Sequence, residues 1–420
     1  MKISDLTHAL IRASEKGARI ARAIRAEEEL FSLLIEEKPE IIEHNKVKQD
    51  FKTLADVLIQ ETIKHDLAKQ FPGLEKFVYG EEESEFTNTN GETIHVRVCD
   101  TEEETCSLLA KVLEGNTKAP QLLAKVVHED VTLPDIEKIS AVTEQLSLDS
   151  VGIWIDPIDA TAQYIAGIED ECPVQGLYSN GLQCVTVLIG VYDRESGIPI
   201  IGVMNQAFST RDTSTKRWQS RFIWGISYKS ININSLEISE TGSASHPAEQ
   251  SGDLDETSSA QSKKVKMSHL ARSNASQEES DIPAKIISSP GENPEILSKF
   301  SAKFQVVHAW GAGNKSLSIL DNITVAYFNS GSAIYRWDTC CGHAILRTLG
   351  GAVLDFHKAW EVVKSCKDAG QLEDELQKTE LTYHFKNVQK ELGAKQWANC
   401  GGILAYRDIK YVSDILSCLC

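Results

Sequence analysis

The chain has 420 residues, of which 41% are hydrophobic and 25% charged, and its formal net charge is −18. This composition excludes a collagen, a coiled coil and a largely disordered chain, and the acidic balance argues against nucleic-acid binding. Ten cysteines without a Cys-x-x-Cys pair indicate reduced thiols rather than a disulfide framework. The length suits two domains that share one continuous core.

The N-terminal part of the chain has the periodicity of helices. Apolar residues recur at helical spacing over 5–37 and again over 53–70, and Asp56 interrupts the apolar pattern of the second segment. Charged residues are interspersed near the N-terminus, and no apolar run approaches the roughly 18 residues of a membrane span. We therefore expect a cytoplasmic protein that does not contact a membrane.

Strands are predicted from the middle of the chain onward. The apolar run 151–155 predicts a buried strand that ends at an Asp-Pro-Ile-Asp sequence, with a helix from about Ala160. Two further strands, 182–192 and 198–205, are joined by turn residues, and another strand follows at 221–228.

The composition changes over 234–284, which is poor in large apolar residues, so we predict a disordered insertion there. Beyond it we predict strands and helices in mixed order: strands at 285–289, 304–309, 323–328 and 401–406, and helices from Asp338 to about 349 and over 411–419. Such mixing predicts an α/β or α+β fold of layered sheets and helices. We expect an N-terminal α+β half, 1–190, with most candidate metal ligands, and a C-terminal α/β half, 191–420.

Two aspartates three positions apart follow the predicted strand at 151–155. Pro157 fixes the backbone between Asp156 and Asp159 and removes one amide donor. Carboxylate oxygens are ligands that hard cations prefer, and the amides at the start of the next helix can bind a phosphate beside the cation. The alternative is a helix that Asp159 caps without any metal, and this segment alone leaves both interpretations open.

Other acidic residues are also candidates for a metal site. Glu81, Glu82 and Glu83 follow a glycine, as in a solvated loop, and Asp338 precedes an apolar helix, as a cap does. Asp56 lies within a helix, and each of these residues has an ordinary structural explanation by itself. Magnesium sites that bind phosphate, however, collect carboxylates from separate segments, so the combination favours a metal-dependent enzyme that acts on a phosphate.

Three of these sequences carry a family resemblance. The Asp-Pro-Ile-Asp-Ala-Thr run at 156–161, the Gly-Glu-Glu at 80–82 and the Trp-Asp at 337–338 resemble the lithium-sensitive inositol monophosphatase superfamily. The similarity covers nearly the whole chain except 234–284 and includes segments at 50–56, 71–76, 181–186, 309–317 and 397–402. It implies the layered αβαβα sandwich of the inositol monophosphatase and fructose-1,6-bisphosphatase type.

The resemblance also implies which residues bind metal. It implies two to three Mg²⁺ ions, with Li⁺ as an inhibitor. Glu81, Asp156 and the backbone carbonyl of Ile158 would hold the first ion. Asp156, Asp159 and Asp338 would hold the second ion.

Further roles come from the same resemblance. Glu81 and Glu82 would reach a third, weaker ion, which gives Glu82 a part in catalysis. Asp56 and Thr161 would form the pair that orients and deprotonates the attacking water. The residues that would contact the substrate are Ala160, Thr161, Ser288, Gly311, Ala312 and Lys315.

Two positions depart from the family pattern. Ala160 stands where the family usually has Gly or Ser, so a backbone contact remains possible there and a hydroxyl contact does not. After Ser289 the chain continues Pro290-Gly291-Glu292, where a lysine near the substrate is expected. Recognition of the non-reacting phosphates is therefore expected to differ in detail.

The implied activity is removal of the 1-phosphate from inositol polyphosphates such as inositol 1,4-bisphosphate and inositol 1,3,4-trisphosphate. Phosphate monoesters hydrolyse extremely slowly unaided, and a metal-activated water that attacks in line meets this demand without a covalent intermediate. Two alternatives are a 3′(2′),5′-bisphosphate nucleotidase and a non-catalytic inositol phosphate-binding protein, although the intact acids argue against the latter. We expect a monomer whose partner is a small-molecule inositol polyphosphate.

Overall fold

The computed structural model describes residues 1–26, 35–37, 41–43, 46–48, 51–88, 90–113, 118–170, 174, 176–236, 283–366, 368–385 and 390–419. Within it, Met1–Leu236 and Ala284–Cys420 form one compact unit. The insertion predicted as disordered lies outside the described residues, except for 234–236 and 283–284 at its ends. The division of the chain into halves at residue 190 stays a prediction.

Helices occur along the whole described part of the chain. They are α1 (Ile3–Ala26), α2 (Leu54–Gln70), α3 (Glu102–Val112), α4 (Ala119–His128), α5 (Glu137–Ser140), α6 (Thr161–Ala166), α7 (Pro294–Phe300), α8 (Ala312–Leu320), α9 (Arg336–Arg347), α10 (Phe356–Ser365), α11 (Ala369–Gln377) and α12 (Lys410–Ser417). Among the described residues, no helix is both long enough and apolar enough to cross a lipid bilayer.

The strands include several short pairs and two larger sets. They are β1 (Ile35–Glu37), β2 (Ile41–Glu43), β3 (Lys46–Lys48), β4 (Phe51–Thr53), β5 (Val78–Gly80), β6 (Glu85–Thr87), β7 (Thr93–His95), β8 (Val151–Asp159), β9 (Thr186–Asp193), β10 (Pro199–Arg211), β11 (Trp218–Tyr228), β12 (Ile231–Asn234), β13 (Lys285–Ser288), β14 (Gln305–His308), β15 (Ala326–Asn329), β16 (Ala352–Asp355) and β17 (Ile403–Tyr406).

Two sheets dominate the fold. The first has six strands in the order β12-β11-β10-β9-β8-β5, and all neighbours are antiparallel except β5 and β8. The second has five strands in the order β14-β13-β15-β17-β16, with β13 parallel to both of its neighbours. The remaining strands pair two by two, as β1 with β4, β2 with β3 and β6 with β7.

Three clusters of buried apolar side chains arrange these elements in layers. The first joins α1 and α2 to one face of the six-stranded sheet. The second joins the other face of that sheet to α8, α9 and the five-stranded sheet, and the third covers the far face of the five-stranded sheet with α7, α10, α11 and α12. Tyr327 and Phe328, consecutive on β15, face opposite clusters because side chains alternate along a strand. The fold is therefore a mixed αβαβα sandwich, as the resemblance implied.

The first predicted helix is only partly confirmed. Helix α1 ends at Ala26, and the described residues 35–37 form strand β1, which pairs antiparallel with β4. The prediction of one helix over 5–37 is therefore wrong at its C-terminal end, since strand pairing with a distant segment overrides the local periodicity. The second helix is confirmed as α2, which Thr53 caps through a hydroxyl that accepts from the Asp56 amide.

The predicted strands are largely confirmed, with shifted ends. β9 begins at Thr186 rather than 182 because Leu182–Cys184 forms one turn of 3₁₀-helix, and β10 continues to Arg211. β8 does not stop at 155 but runs to Asp159. In the C-terminal part, α9 begins at Arg336, so Asp338 lies inside its first turn rather than before it.

Helix α9 packs very close to the six-stranded sheet because glycines face it. Gly190, Gly202 and Gly225 lie side by side on β9, β10 and β11. A Cβ atom at Gly190 would lie 2.6 Å from the backbone nitrogen of Cys341, and one at Gly202 would lie 2.2 Å from the Cys341 carbonyl oxygen. Since any side chain here would collide with the helix backbone, the glycine row sets the depth at which α9 packs.

We expect Gly202→Ala to destabilise the protein, because the added methyl group has no room between β10 and α9. Overpacking of this kind costs about 1–3 kcal/mol, and urea unfolding measures the loss. The matched control is Gly291→Ala, since no atom lies within 4 Å of the Cβ added there. Equal effects of the two substitutions on the free energy of unfolding would contradict the packing argument.

Candidate functional site

The two aspartates at the end of β8 lie on a strand with one extra residue. From Asp156 to Asp159, β8 advances three positions while its partner β9 advances two, from Leu188 to Thr186. This irregularity is a β-bulge, which changes the direction of the side chains that follow it. Pro157 lies in the bulge, where its missing amide costs no ladder hydrogen bond. The bulge thus lets two carboxylates three positions apart meet on one side.

A third carboxylate comes from helix α9. Asp338 is the third residue of the helix, and its Oδ2 accepts a hydrogen bond from the backbone amide of Tyr335, the N-cap residue. Asp156, Asp159 and Asp338 each offer one oxygen atom, and these atoms all lie within 4.8 Å of one another. The structure therefore brings together the three residues that the family resemblance assigns to one metal ion.

Buried aromatic rings hold the two main acid-bearing elements together. Trp154, two positions before Asp156, and Trp337, directly before Asp338, have ring centroids 6.0 Å apart. Both indoles are buried, at 1% and 4% exposure. Since neither ring can move without opening this core, the aromatic contact fixes the separation of β8 and the first turn of α9.

The loop after β5 supplies Glu81 and Glu82. β5 pairs in parallel with β8, and the Glu81 amide extends the ladder by donating to the carbonyl of Ile155 over 3.1 Å. Gln60 of α2 then binds the backbone of Glu82 twice, donating to its carbonyl and accepting from its amide. Sequence reasoning missed Gln60; its only local signal is that it lies one helical turn after Asp56.

Burial and repulsion act on these carboxyl groups. Burial, and then the charges of Glu81 and Asp159, raise the pKa of Asp156 well above its usual range. Burial, and then the charge of Asp159, do the same to the pKa of Asp338. In addition, Asp156 Oδ1 is buried without a hydrogen-bond partner among the described residues. Divalent cations that prefer oxygen ligands would satisfy this atom and offset the repulsion, so the residues fit Mg²⁺.

Asp159 has more partners than its neighbours. Its Oδ1 accepts from the Ala312 amide over 2.9 Å, and its Oδ2 accepts from the Gly313 amide over 2.7 Å. Burial raises the pKa of Asp159, whereas the charge of Lys315 and these two amides lower it, with a raised pKa as the net result. The interpretation of Asp159 as a cap of its own helix is wrong, since Ala160 is the N-cap of α6 and Asp159 binds the start of α8 instead.

The start of α8 lies directly against the acids. Gly311 has a φ of +79°, and a Cβ atom there would lie 3.0 Å from Asp159 Oδ2 and 3.3 Å from the Cβ of Ala160. Ala160 itself has a φ of +69°. Thr161 donates its hydroxyl hydrogen to the Ile158 carbonyl over 2.9 Å. These predicted metal and substrate residues therefore lie in one small region around Asp159.

Asp56 is held at the start of α2. Its Oδ2 accepts hydrogen bonds from the Thr53 amide over 2.8 Å and from the Thr53 hydroxyl over 2.5 Å, and the residue is 1% exposed. The charge of Asp56 contributes to the raised pKa of Asp156. The pairing of Asp56 with Thr161 stays a prediction.

Two predicted substrate residues are buried. Lys315 is 3% exposed, and its Nζ donates to the carbonyls of Gly311 and Ala309 over 2.7 and 3.3 Å. Burial lowers the pKa of Lys315 to about 8. The Ser288 hydroxyl lies 3.0 Å from His308 Nδ1, with no exposed surface on the serine. Lys315 thus supports the segment before α8 from inside, whereas Ser288 contacts the end of β14. Contact of either side chain with substrate stays a prediction.

Glu292 stands in the region where the family pattern predicts a lysine. Its carboxylate accepts from the backbone amides of Asn293 and Ser330 and from the Ser330 hydroxyl. The side chain is 9% exposed. Glu292 therefore serves to join the β13–α7 connection to the end of β15.

The chain belongs to the inositol monophosphatase family, whose family model matches residues 6–391. It is 42% identical over 417 residues to inositol polyphosphate 1-phosphatase of Bos taurus, a match that covers 99% of this chain and 97% of that protein. The Homo sapiens protein of the same name is 41% identical over 420 residues, with the same coverage. A 3′(2′),5′-bisphosphate nucleotidase 1 of Homo sapiens is 24% identical over 308 residues, which are 73% of this chain and 72% of that protein.

We expect Asp338→Asn to stabilise the metal-free protein at pH 8. When the pKa of a carboxyl group is higher in the folded chain than in the unfolded chain, the group contributes its full stabilisation at pH values below the unfolded-state pKa. This stabilisation is lost as the pH rises through the folded-state pKa. Removing one charge from the cluster should therefore raise the free energy of unfolding on the order of 1 kcal/mol or more. Urea unfolding in a chelator measures the gain, which should shrink towards pH 4.

Asp149→Asn is the control for this experiment, because Asp149 is exposed at the protein surface. It should change the free energy of unfolding by less than about 0.5 kcal/mol at either pH. A less stable Asp338→Asn variant at pH 8 would show that the carboxylates do not repel one another in the folded chain.

Proposed function

We propose that this protein is a Mg²⁺-dependent phosphomonoesterase that removes the 1-phosphate from inositol polyphosphates such as inositol 1,4-bisphosphate and inositol 1,3,4-trisphosphate. The observation that carries the proposal is the group of three acids, Asp156, Asp159 and Asp338, with oxygens within 4.8 Å of one another. Membership of the inositol monophosphatase family and 42% identity to inositol polyphosphate 1-phosphatase support this choice of reaction and substrate.

The proposed metal ligands form three overlapping sets. Glu81, Asp156 and the carbonyl of Ile158 would hold one Mg²⁺ ion, and Asp156, Asp159 and Asp338 would hold a second. Glu81 with Glu82 would reach a third. When bound, Mg²⁺ supplies Lewis acidity that lowers the pKa of a water molecule and neutralises charge on the phosphate oxygens.

The other residues position the reactants. We assign Asp56 and Thr161 to orient the attacking water and accept its proton, and the Thr53 contacts hold the Asp56 carboxylate in one orientation for this role. Ala160 and Thr161 would contact the phosphate through the start of α6. Gly311 and Ala312 would meet the inositol ring and its other phosphates.

Lys315 would meet the inositol and its remaining phosphates together with Gly311 and Ala312, and Ser288 would lie opposite. The buried ammonium group of Lys315 binds the carbonyl of Gly311 over 2.7 Å and lowers the pKa of Asp159. Its positive charge therefore stabilises ionised Asp159 and keeps the segment before α8 in place. We further propose that the enzyme acts as a cytoplasmic monomer.

Phosphate release from a substrate panel tests the proposed activity. The panel contains inositol 1,4-bisphosphate, inositol 1,3,4-trisphosphate and adenosine 3′,5′-bisphosphate, each with Mg²⁺ and with a chelator. We expect the inositol phosphates to be hydrolysed only when Mg²⁺ is present. The product from inositol 1,4-bisphosphate should be inositol 4-phosphate. Preference for the adenosine compound would indicate a nucleotidase, and binding without turnover would indicate a non-catalytic inositol phosphate-binding protein.

We expect Asp156→Asn to reduce kcat by at least about 1000-fold at saturating Mg²⁺. Asp156 is shared by both proposed metal sites, and a neutral amide is a poor ligand for Mg²⁺. Initial rates on inositol 1,4-bisphosphate, compared with those of Asp149→Asn, measure the effect. Near-normal turnover of the Asp156 variant would exclude the proposed ligand set.

We expect lithium to inhibit uncompetitively with respect to substrate at fixed Mg²⁺. Li⁺ accepts oxygen ligands such as those of Asp156, Asp159 and Asp338, but its single charge cannot replace a divalent ion at the leaving oxygen. It should therefore trap a complex that forms only after substrate has bound, so more substrate deepens the inhibition. Initial rates at several Li⁺ concentrations test this, with Na⁺ as the control; rescue by substrate, or equal effects of both ions, would refute it.

A further inference from the structure

We infer that Trp310 is a specificity-determining residue that packs its indole against the carbon face of the inositol ring. Trp310 has 43% of its surface exposed. Among the described residues, the other exposed large apolar side chains are Ile168 and Ile198. An indole offers a large flat apolar face and one polar N–H group, which suits contact with a ligand that has both apolar and polar parts.

The position of Trp310 relates it to the candidate site. It directly precedes Gly311, so the two Cα atoms are about 3.8 Å apart. Gly311 lies so close to the acids that an added Cβ atom would be 3.0 Å from Asp159 Oδ2. An indole side chain attached one residue away is long enough to reach a ligand whose phosphate lies at Asp159.

The backbone of Trp310 is fixed even though its side chain is exposed. Its amide donates to the Ser179 carbonyl over 3.0 Å, and its carbonyl accepts from Asn314 Nδ2 over 3.0 Å. Asn314 is 4% exposed and also donates to the carbonyl of Tyr178 over 2.9 Å. An anchored backbone lowers the entropy lost when the indole meets a ligand, which is the property of a preorganised binding residue.

The chemistry of the ligand explains why an indole is suitable. This inference rests on the proposed function, in which the ligand is a phosphorylated six-carbon ring. Carboxylates and cations bind its phosphates, but the C–H groups of the ring need an apolar partner, and a flat aromatic face supplies one. Trp310 would thereby favour ring-shaped phosphate esters without adding charge to a site that is already strongly acidic.

Steady-state kinetics of Trp310→Ala and Trp310→Phe test this role. We expect KM for inositol 1,4-bisphosphate to rise about fivefold in the alanine variant, the change typical of losing one aromatic contact, with kcat within about twofold of the wild type. Inorganic phosphate, used as a competitive inhibitor, is the ring-free probe, and its inhibition constant should not change. Phenylalanine should retain most of the affinity, and Ile198→Ala is the matched control for loss of an exposed apolar side chain.

Each other outcome counts against the inference. An unchanged KM in Trp310→Ala would overturn it, as would a parallel rise in the inhibition constant of phosphate, which would indicate a damaged metal site. Equal losses in the alanine and phenylalanine variants would exclude stacking. If the wild-type protein hydrolyses no inositol phosphate, the proposed function fails and this inference fails with it, whereas an active wild type with an unaffected variant removes the role of Trp310 alone.

Discussion

The close packing of helix α9 on the six-stranded sheet is the constraint on which the site depends. The glycine row on β9, β10 and β11 leaves no space between the strands and the helix backbone, and the Trp154–Trp337 contact fixes the first turn of the helix. Asp338 follows Trp337 directly, so the packing that excludes water from this core also sets the position of a carboxylate. One added methyl group, about 1.5 Å long, is about a third of the 4.8 Å within which the three carboxylate oxygens lie, so a shift of α9 by that amount would disturb their spacing.

This packing acts against electrostatic repulsion. Two like charges 4.8 Å apart repel by about 3.5 kcal/mol at an effective dielectric constant of about 20. Fully burying one large apolar side chain contributes about 1.5–3 kcal/mol, so a few of the many buried residues around α9 suffice to offset one such pair. Burial, and then this repulsion, raise the pKa values of Asp156 and Asp338. The fold thus maintains a group of acids that favours the binding of protons or cations.

The sequence indicates the candidate acidic residues more readily than it indicates the contacts that hold them. Asp156, Asp159 and Asp338 stand out because charged residues at the ends of apolar segments break a local pattern. Gln60 does not stand out, since its contact with Glu82 crosses 22 positions and leaves no trace in helical periodicity. The bulge in β8 and the strand at 35–37, where the periodicity predicted helix, are also set by pairing with other strands. The mixed order of strands and helices in the sequence predicts the layered fold class. Only the tertiary contacts show which helix lies against which acidic residue.

Asp159 connects the proposed metal ligands to the segment proposed to meet the substrate. Both of its oxygens accept amide hydrogens at the start of α8 while lying among the other carboxylates. In the proposed function, a cation that draws electron density from Asp159 would weaken these two hydrogen bonds, and a ligand that draws the amides away would free the carboxylate for the cation. Occupancy of the proposed cation site would therefore change the free energy of binding at the proposed substrate site. Such thermodynamic linkage is reciprocal, so cation and substrate would alter each other's affinity by the same factor.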